Sequence, residues 1–512
     1  MERHLKILFW FLLVKAVFVL VAIQAQVIGL GPDEAQYWTW SQDLYWGYYS
    51  KPPAIAWQIW LGTKVFGNTE LGVRLLSVVI SSLVSLSVYF LARVCRLKSE
   101  TAFWAGMVMA FSPLGIMSSF LATTDGGMVL FWTFACIIIA FSLSSGTTPN
   151  YDFLGMLILS GALFKWPIYI FWVFVLLARR IYPELRGGNM YRGMAISLLG
   201  LVPTVIWNRL HEWATFKHVL TTIMGGHGKE VGTSPLLHGN VFDFLGAQAA
   251  LLSPILFVLL LLAFVTLIRN STKVWSSILF CGGVALLLLV GYSTMAIFTK
   301  MQGNWCVYAY PSGIVLLSWY ACERVKWGKL WLKVGLTLSL ILCIAVLSLP
   351  TIQARGLLPI PYRVNPFRHN LGWAKLEEAL EERGYDPEEH FLFSDKYQMT
   401  SILSFYSPGQ KRGYFLNLQG SRKNQFSYWP TMVDEQLGKT GFFVVTENSP
   451  HWEKMMPEKM EEYREQLGEY FEEVQFLGEY PLFYNGDKVV KGALIFKCIN
   501  YNGKFPFDPD LF

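Results

Sequence analysis

GPDEAQYWTWSQDLYWGYYSKPP, residues 31–53, directly follows the first long apolar run, and its reading decides how the rest of the chain is arranged. Two adjacent carboxylates (Asp33, Glu34), a lysine held before two prolines (Lys51, Pro52, Pro53) and seven aromatics between Tyr37 and Tyr49 make it too polar to cross a bilayer. The same aromatics make it too apolar for an ordinary solvated loop. Tyr and Trp gather where lipid meets water, because each ring system has an apolar body and a wet edge. The stretch is therefore expected to lie along the membrane surface, with its aromatics serving mainly as an anchor.

The composition requires a membrane for it to lie on. Of 512 residues, 53% are hydrophobic and only 15% charged, against about 25% charged in a typical soluble protein. The formal net charge of +6 comes largely from Lys and Arg in short loops between apolar runs, so topology explains it better than nucleic-acid binding. The seven cysteines (95, 136, 281, 306, 322, 343 and 498) lie mostly inside apolar runs and show no metal-ligand spacing. Only Cys498 falls in the long polar region, so no disulfide is expected there. The first run, residues 5–30, is too long for the h-region of about 7 to 15 residues in a signal peptide, and is expected to stay as an uncleaved span.

Runs long enough to cross a hydrocarbon core of about 30 Å occur near 6–29, 70–92, 101–120, 126–144, 193–208, 246–268, 275–297, 306–322 and 329–350. Residues 152–179 are apolar except for Lys165, which is followed by Trp166 and Pro167. A lysine at mid-membrane costs about 2.5 to 3.5 kcal/mol, and proline disfavours helix at the residue before it. Two short spans with Lys165 at their turn are therefore expected, giving about eleven in all. With the N-terminus cytoplasmic, the inner loops carry Arg93, Arg96 and Lys98; Arg179, Arg180, Arg186 and Arg192; Arg269 and Lys273; and Arg324, Lys326, Lys329 and Lys333. That is the positive-inside pattern. The same parity puts residues 31–53, the Thr123–Gly127 turn, Lys165, the 209–245 loop and Lys300–Asn304 together on the opposite face.

Beyond Pro350 the pattern turns charged and mixed, and residues 351–512 suffice for one small external domain. A helix over 371–383, strands near 391–393, 413–416 and 441–446, helices over 396–406 and 455–467, and two or three closing strands over 473–498 read as an α/β layer. No internal repeat is visible, which weakens a transporter built from inverted halves.

Each candidate residue has an ordinary reading beside a chemical one. Asp33 and Glu34 after Gly31-Pro32 suit helix capping, or a general base for a hydroxyl nucleophile. Lys51 could be an interfacial lysine with its head in water. Lys165 interrupts an apolar stretch, where ionisable groups are functional by default. Lys300 adds a third amine on that face, and several cations at one surface suit a phosphate leaving group. Asp125 sits in a turn that Ser or Asn could make equally well. Arg209 opens the 209–245 loop and could equally meet lipid headgroups. His211, His218, His227 and His238 share that loop, but their spacings match no helical ligand pair, so no metal site is expected.

In order and spacing, Gly31-Pro32-Asp33-Glu34-Ala35, Tyr49-Ser50-Lys51-Pro52-Pro53, Thr124-Asp125-Gly126, Phe164-Lys165-Trp166-Pro167 and Gly303-Asn304-Trp305 resemble a known set. They match the bacterial protein mannosyltransferase and aminoarabinose transferase superfamily, which are GT-C glycosyltransferases. Ser394-Asp395-Lys396-Tyr397-Gln398, Phe405-Tyr406-Ser407-Pro408-Gly409 and Asn424-Gln425-Phe426 extend the likeness over nearly the whole chain. The resemblance implies a polytopic helical membrane domain (1–350, with interfacial helices in the 30–55 loop) and an extracytoplasmic α/β domain (351–512). It implies inverting transfer of one sugar from a polyprenyl phosphate to a lipid, glycan or protein hydroxyl at the outer face of the bacterial cytoplasmic membrane. Asp33, Glu34 and Asp125 would then be the catalytic acids, with Lys51, Lys165 and more loosely Lys300 and Arg209 around the donor phosphate. No cofactor is implied, and use of a divalent ion is left open. Gln36 stands where aminoarabinose transferases tend to have Arg, which leaves sugar and acceptor open. The rival readings are a flippase or transporter for lipid-linked saccharides and a ligase moving a whole glycan.

Overall fold

The computed structural model describes residues 2–223, 239–447 and 452–508. Among the described residues, six helices are long and apolar enough to cross a membrane: Arg3–Gln24, Glu70–Val94, Thr124–Ser145, Met190–Leu210, Ser276–Phe298 and Gly328–Ala354. Two bent pairs add to them, Ser99–Phe111 with Pro113–Phe120 at 52° and Val241–Leu252 with Pro254–Arg269 at 105°. The count by length and composition is thus six to eight, against about eleven expected. The other three apolar runs form helices of 11 to 14 residues: Tyr151–Ala162, Phe171–Ile181 and Tyr310–Glu323.

Proline explains the breaks, because it lacks the N–H that would continue the helical ladder. Pro113 and Pro254 each start a new helix, after Ser112 in extended backbone (ψ 157°) and Ser253 at φ +82°. Lys165 is extended (φ −161°, ψ 130°) and precedes a short 3-10 turn, Trp166–Ile170, so this apolar stretch is two helices with the lysine at their junction, as expected. Tyr310–Glu323 is buried almost throughout, which explains why an apolar run of that length need not face lipid. By contrast Phe9, Trp10, Val14, Trp331, Ile341 and Ile344 are exposed on the first and last long helices, as lipid-facing surface requires.

The Glu70–Val94 helix relates the two ends of the bundle. Its 25 residues span about 37 Å at 1.5 Å per residue. At its Val94 end the predicted inner cations gather: Arg93 pairs with Glu2 at 2.9 Å, Arg96 stacks on Trp275, and Lys329 pairs with Glu100 at 2.7 Å. At its Glu70 end lies the 31–53 stretch.

The C-terminal region is a five-stranded mixed sheet with two helices against it. Strands β1 (Phe391–Ser394), β2 (Tyr414–Phe415), β3 (Gly441–Glu447), β4 (Phe471–Asn485) and β5 (Lys488–Tyr501) are ordered β2-β1-β3-β5-β4. The first three pair in parallel, and β5 runs antiparallel to both β3 and β4. The period of two sorts the side chains. Phe391, Phe393, Phe443, Val445 and Phe496 face the Trp452–Gly468 helix, while Leu392, Phe442, Val444 and Ile495 face the other way. A two-residue turn, Gly486-Asp487, joins β4 to β5, and its Gly486 amide donates to the Gln353 carbonyl near the end of the last membrane helix at 2.8 Å.

That second sheet face is where the expected membrane anchor is found. Tyr37, Trp38, Trp40, Tyr48 and Tyr49 are all buried, and the first four share one apolar cluster with Leu392, Ile402, Phe405, Phe442 and Ile495. Trp38 meets Phe405 edge-on at 5.0 Å. Only Tyr45 and Trp46 are exposed. The aromatics are therefore mainly a protein–protein core, because the C-terminal region covers the surface on which they would otherwise meet lipid.

A buried ionic network fixes the two halves together. The Arg74 guanidinium donates to both Glu34 oxygens (2.9 and 2.7 Å) and to the carbonyls of Ile28 and Gly29 (2.7 and 2.8 Å). Glu34 also accepts from the Gly31 and Ala122 amides, each at 2.9 Å. One turn earlier on the Arg74 helix, Glu70 accepts from the Tyr406 hydroxyl at 2.5 Å, and that hydroxyl accepts from the Leu30 amide at 2.7 Å. Removing one partner of such a pair strands a buried charge. Arg74→Ala should lose about 3–5 kcal/mol, read as a fall in melting temperature of the purified protein in detergent. A variant melting like the wild type would contradict the assigned role.

Candidate active site

The two adjacent acids of residues 31–53 have different environments. Successive residues on a helix project about 100° apart, so on Pro32–Gln42, capped by Gly31, Glu34 turns inward to Arg74 while Asp33 does not. Glu34 has its oxygens fully engaged and serves structure; nothing remains of it for proton transfer. Asp33 opens into a cavity of about 590 Å³ between the membrane helices and the C-terminal region, lined also by Tyr37, Thr123, His369, Lys396 and Gln398. It is exposed, lines that cavity, and makes no hydrogen bond or ion pair among the described residues. Enclosure by protein raises its carboxyl above the ordinary range; Lys51 opposes the rise, Glu34 adds to it and Arg422 opposes it.

Asp125 and Lys165, from separate helices, meet directly. Asp125 is in the first turn of Thr124–Ser145, where Lys165 donates to one carboxylate oxygen at 2.7 Å and the Asn304 amide to the other at 3.2 Å. Gly127 permits the approach, since a Cβ there would lie 2.5 Å from the Phe164 ring. Gly303-Asn304 is held by Gln248, which donates to the Gly303 carbonyl at 3.0 Å. The Lys51 turn is tied to the same place, because the Ala54 amide donates to the Leu163 carbonyl at 3.0 Å.

Lys51 makes no hydrogen bond or ion pair through its amine among the described residues. Burial depresses its pKa, the neighbouring Lys165 depresses it further, Asp33 and Asp125 raise it, and Arg422 lowers it again. Lys300 and Arg209 are not brought in: both are exposed, and neither forms a hydrogen bond or ion pair among the described residues. His211 stacks on Trp207 with centroids 4.2 Å apart, and His218 packs against Tyr49 at 5.0 Å. His227 and His238 lie outside the described residues.

Three contributors escaped the reading of the sequence. Arg74 was hidden inside an apolar run, although an ionisable residue there is itself a signal. Asn304 was quoted within Gly303-Asn304-Trp305 but given no role. Arg422, which acts on both Asp33 and Lys51, stands two residues before the Asn424-Gln425-Phe426 segment.

Residues 50–207 match a family described as dolichyl-phosphate-mannose-protein mannosyltransferase. The lipid A galacturonosyltransferase RgtD of Rhizobium johnstonii is 29% identical over 312 residues, a match spanning 60% of this chain and 62% of that protein. The fold resembles that of ArnT from Cupriavidus metallidurans in the apo state (15% identity, TM-score 0.55) and bound to undecaprenyl phosphate (16% identity, TM-score 0.56). Each structural match covers 95% of this chain and 97% of that one. The family segment spans the residues from Lys51 to Lys165, and the fold agreement extends through the C-terminal sheet. The chain is therefore a multi-pass membrane protein with an ArnT-like fold.

Proposed function

We propose that the protein transfers a single sugar from a polyprenyl phosphate to an acceptor hydroxyl, with inversion, at the outer face of the bacterial cytoplasmic membrane. One observation carries this reading: a carboxylate facing a cavity, Asp33, and a nearby amine, Lys51, each act on the other and neither is paired among the described residues. Asp33 takes the proton from the acceptor hydroxyl as its oxygen attacks the anomeric carbon. The bond from that carbon to the phosphate oxygen breaks, and the electron pair leaves with the polyprenyl phosphate. Lys51 stabilises the charge that develops there, and Lys165, oriented by Asp125, adds to the field. A carboxylate with a raised pKa is a better base for this task than an ordinary one. Lys300 and Arg209 share no contact with these groups, so the reading does not use them.

The donor class is supported by ArnT, solved with undecaprenyl phosphate, and a lipid A-type acceptor by the activity named for RgtD. Orientation is supported by the cations at the Val94 end of the bundle, opposite the site. Residues 351–512 then lie outside the cytoplasm and close the cavity over the acceptor.

Two outcomes test the reading. Asp33→Asn should slow transfer by about 10²- to 10⁴-fold without lowering the melting temperature. The sign follows from linkage. A carboxyl whose pKa rises on folding stabilises the fold while protonated, and that contribution is lost as pH climbs through the folded value. The neutral amide therefore suits the site. Labelled-sugar transfer in membranes at the wild-type rate would remove Asp33 from catalysis. In a pH–rate profile, the acid limb of kcat/KM should lie above the ordinary aspartate range. Lys51→Gln removes a cation that lowers the Asp33 pKa, so it should move the limb to higher pH and also raise the donor KM. An unmoved limb would separate Lys51 from Asp33.

A further inference from the structure

We propose that Arg422, supplied by the C-terminal region, binds the donor phosphate jointly with Lys51. The inference rests on the transferase reading above and adds a residue to its donor site.

The segment that carries Arg422 is held firmly against the 31–53 stretch. Gln425 accepts from the Tyr49 amide at 2.7 Å, and the Asn424 side chain accepts from the Phe426 amide at 2.9 Å. Lys423 is buried and paired with Glu212 and Asp508, at 3.5 and 3.3 Å. Between these anchors the Arg422 guanidinium lies over two rings, Tyr49 at 5.5 Å and Tyr397 at 5.7 Å, with one terminal nitrogen 3.5 Å from His218 Nδ1. Tyr49 is two residues from Lys51. Tyr397 stands between Lys396 and Gln398, both on the wall of the cavity that holds Asp33. The guanidinium is thus fixed at the junction of the lysine turn and the cavity.

The charge balance says what it waits for. Lys51, Lys165, Lys396 and Arg422 are four cations against Asp33 and Asp125, and Asp125 is already engaged by Lys165. No carboxylate pairs with Arg422 among the described residues. Stacking on aromatic faces uses the flat of a guanidinium and leaves its N–H edge to grip an anion in bidentate fashion. Arg422 lies over the Tyr49 ring at 5.5 Å, and Lys51 stands two residues further along the same turn, so the two cations share one short stretch of surface. A phosphate there would be gripped from both halves of the molecule at once.

The experiment is a titration of the purified full-length protein with a polyprenyl phosphate and, separately, with the uncharged polyprenol of the same length. The wild type, Arg422→Ala, Arg422→Gln, Arg422→Lys and Lys51→Ala are compared. Losing a charge-assisted hydrogen bond should weaken phosphate binding roughly 10- to 100-fold in the Ala and Gln variants, with the Lys variant intermediate. Polyprenol binding and melting temperature should stay unchanged, and in turnover the donor KM should rise while the acceptor KM does not. Wild-type phosphate affinity in Arg422→Gln, with weakened binding in Lys51→Ala, would overturn the role of Arg422 and leave the transferase reading intact. So would an equal loss of polyprenol binding, or a rise in acceptor KM instead. A wild type that binds phosphate no better than polyprenol would overturn both.

Discussion

The Arg74 guanidinium is the point on which the external half of the molecule turns. Burying a charge is costly unless its donors find acceptors, and Arg74 makes four hydrogen bonds, to two carboxylate oxygens and two main-chain carbonyls. Those carbonyls, from Ile28 and Gly29, end the first span. The carboxylate starts the interfacial helix. One side chain therefore sets where the chain leaves the membrane and how the helix that follows is rotated. The chemical environment of Asp33 is a by-product of that rotation: with its neighbour fixed to Arg74, it must turn toward the cavity.

The same logic separates the remaining charges. Asp125, Lys165 and Asn304 complete one another, whereas Asp33 and Lys51 have no hydrogen-bond or ion-pair partner among the described residues. The aromatic residues around them exclude water by packing on the C-terminal sheet, where Trp40 and Tyr48 stack at 4.6 Å. This strengthens every electrostatic contact inside the site.

Much of this was legible in the chain. The shift from apolar runs to a mixed polar region located the sheet; the first three strands lie within a few residues of their expected places, and the stretch expected to hold two or three closing strands holds two. Lys165 before Trp166-Pro167 marked a break between two helices. Lys165 stood out as a candidate because it interrupts an apolar stretch. The function of Glu34 could not be read, since it depends on Arg74, forty residues away in a run that otherwise reads as lipid-spanning. Nor could the burial of Tyr37, Trp38, Trp40 and Tyr48, because an aromatic that faces a distant sheet has the same local pattern as one that faces headgroups. The bend of 105° at Ser253 and the short buried helix at 310–323 made apolar length a poor guide to the number of full spans.

The hydroxyl of Tyr406 has a consequence for how the molecule is made. It contacts Glu70 across 336 positions of sequence, so the first loops emerge from synthesis long before their cover exists. At about 5–20 residues per second, the delay is on the order of tens of seconds. During that interval Glu70 lacks its partner, and Trp38 and Trp40 have no sheet to pack on. The nascent protein thus carries, outside the bilayer, a patch that invites premature association, and its maturation depends on keeping that patch apart until the last strands arrive.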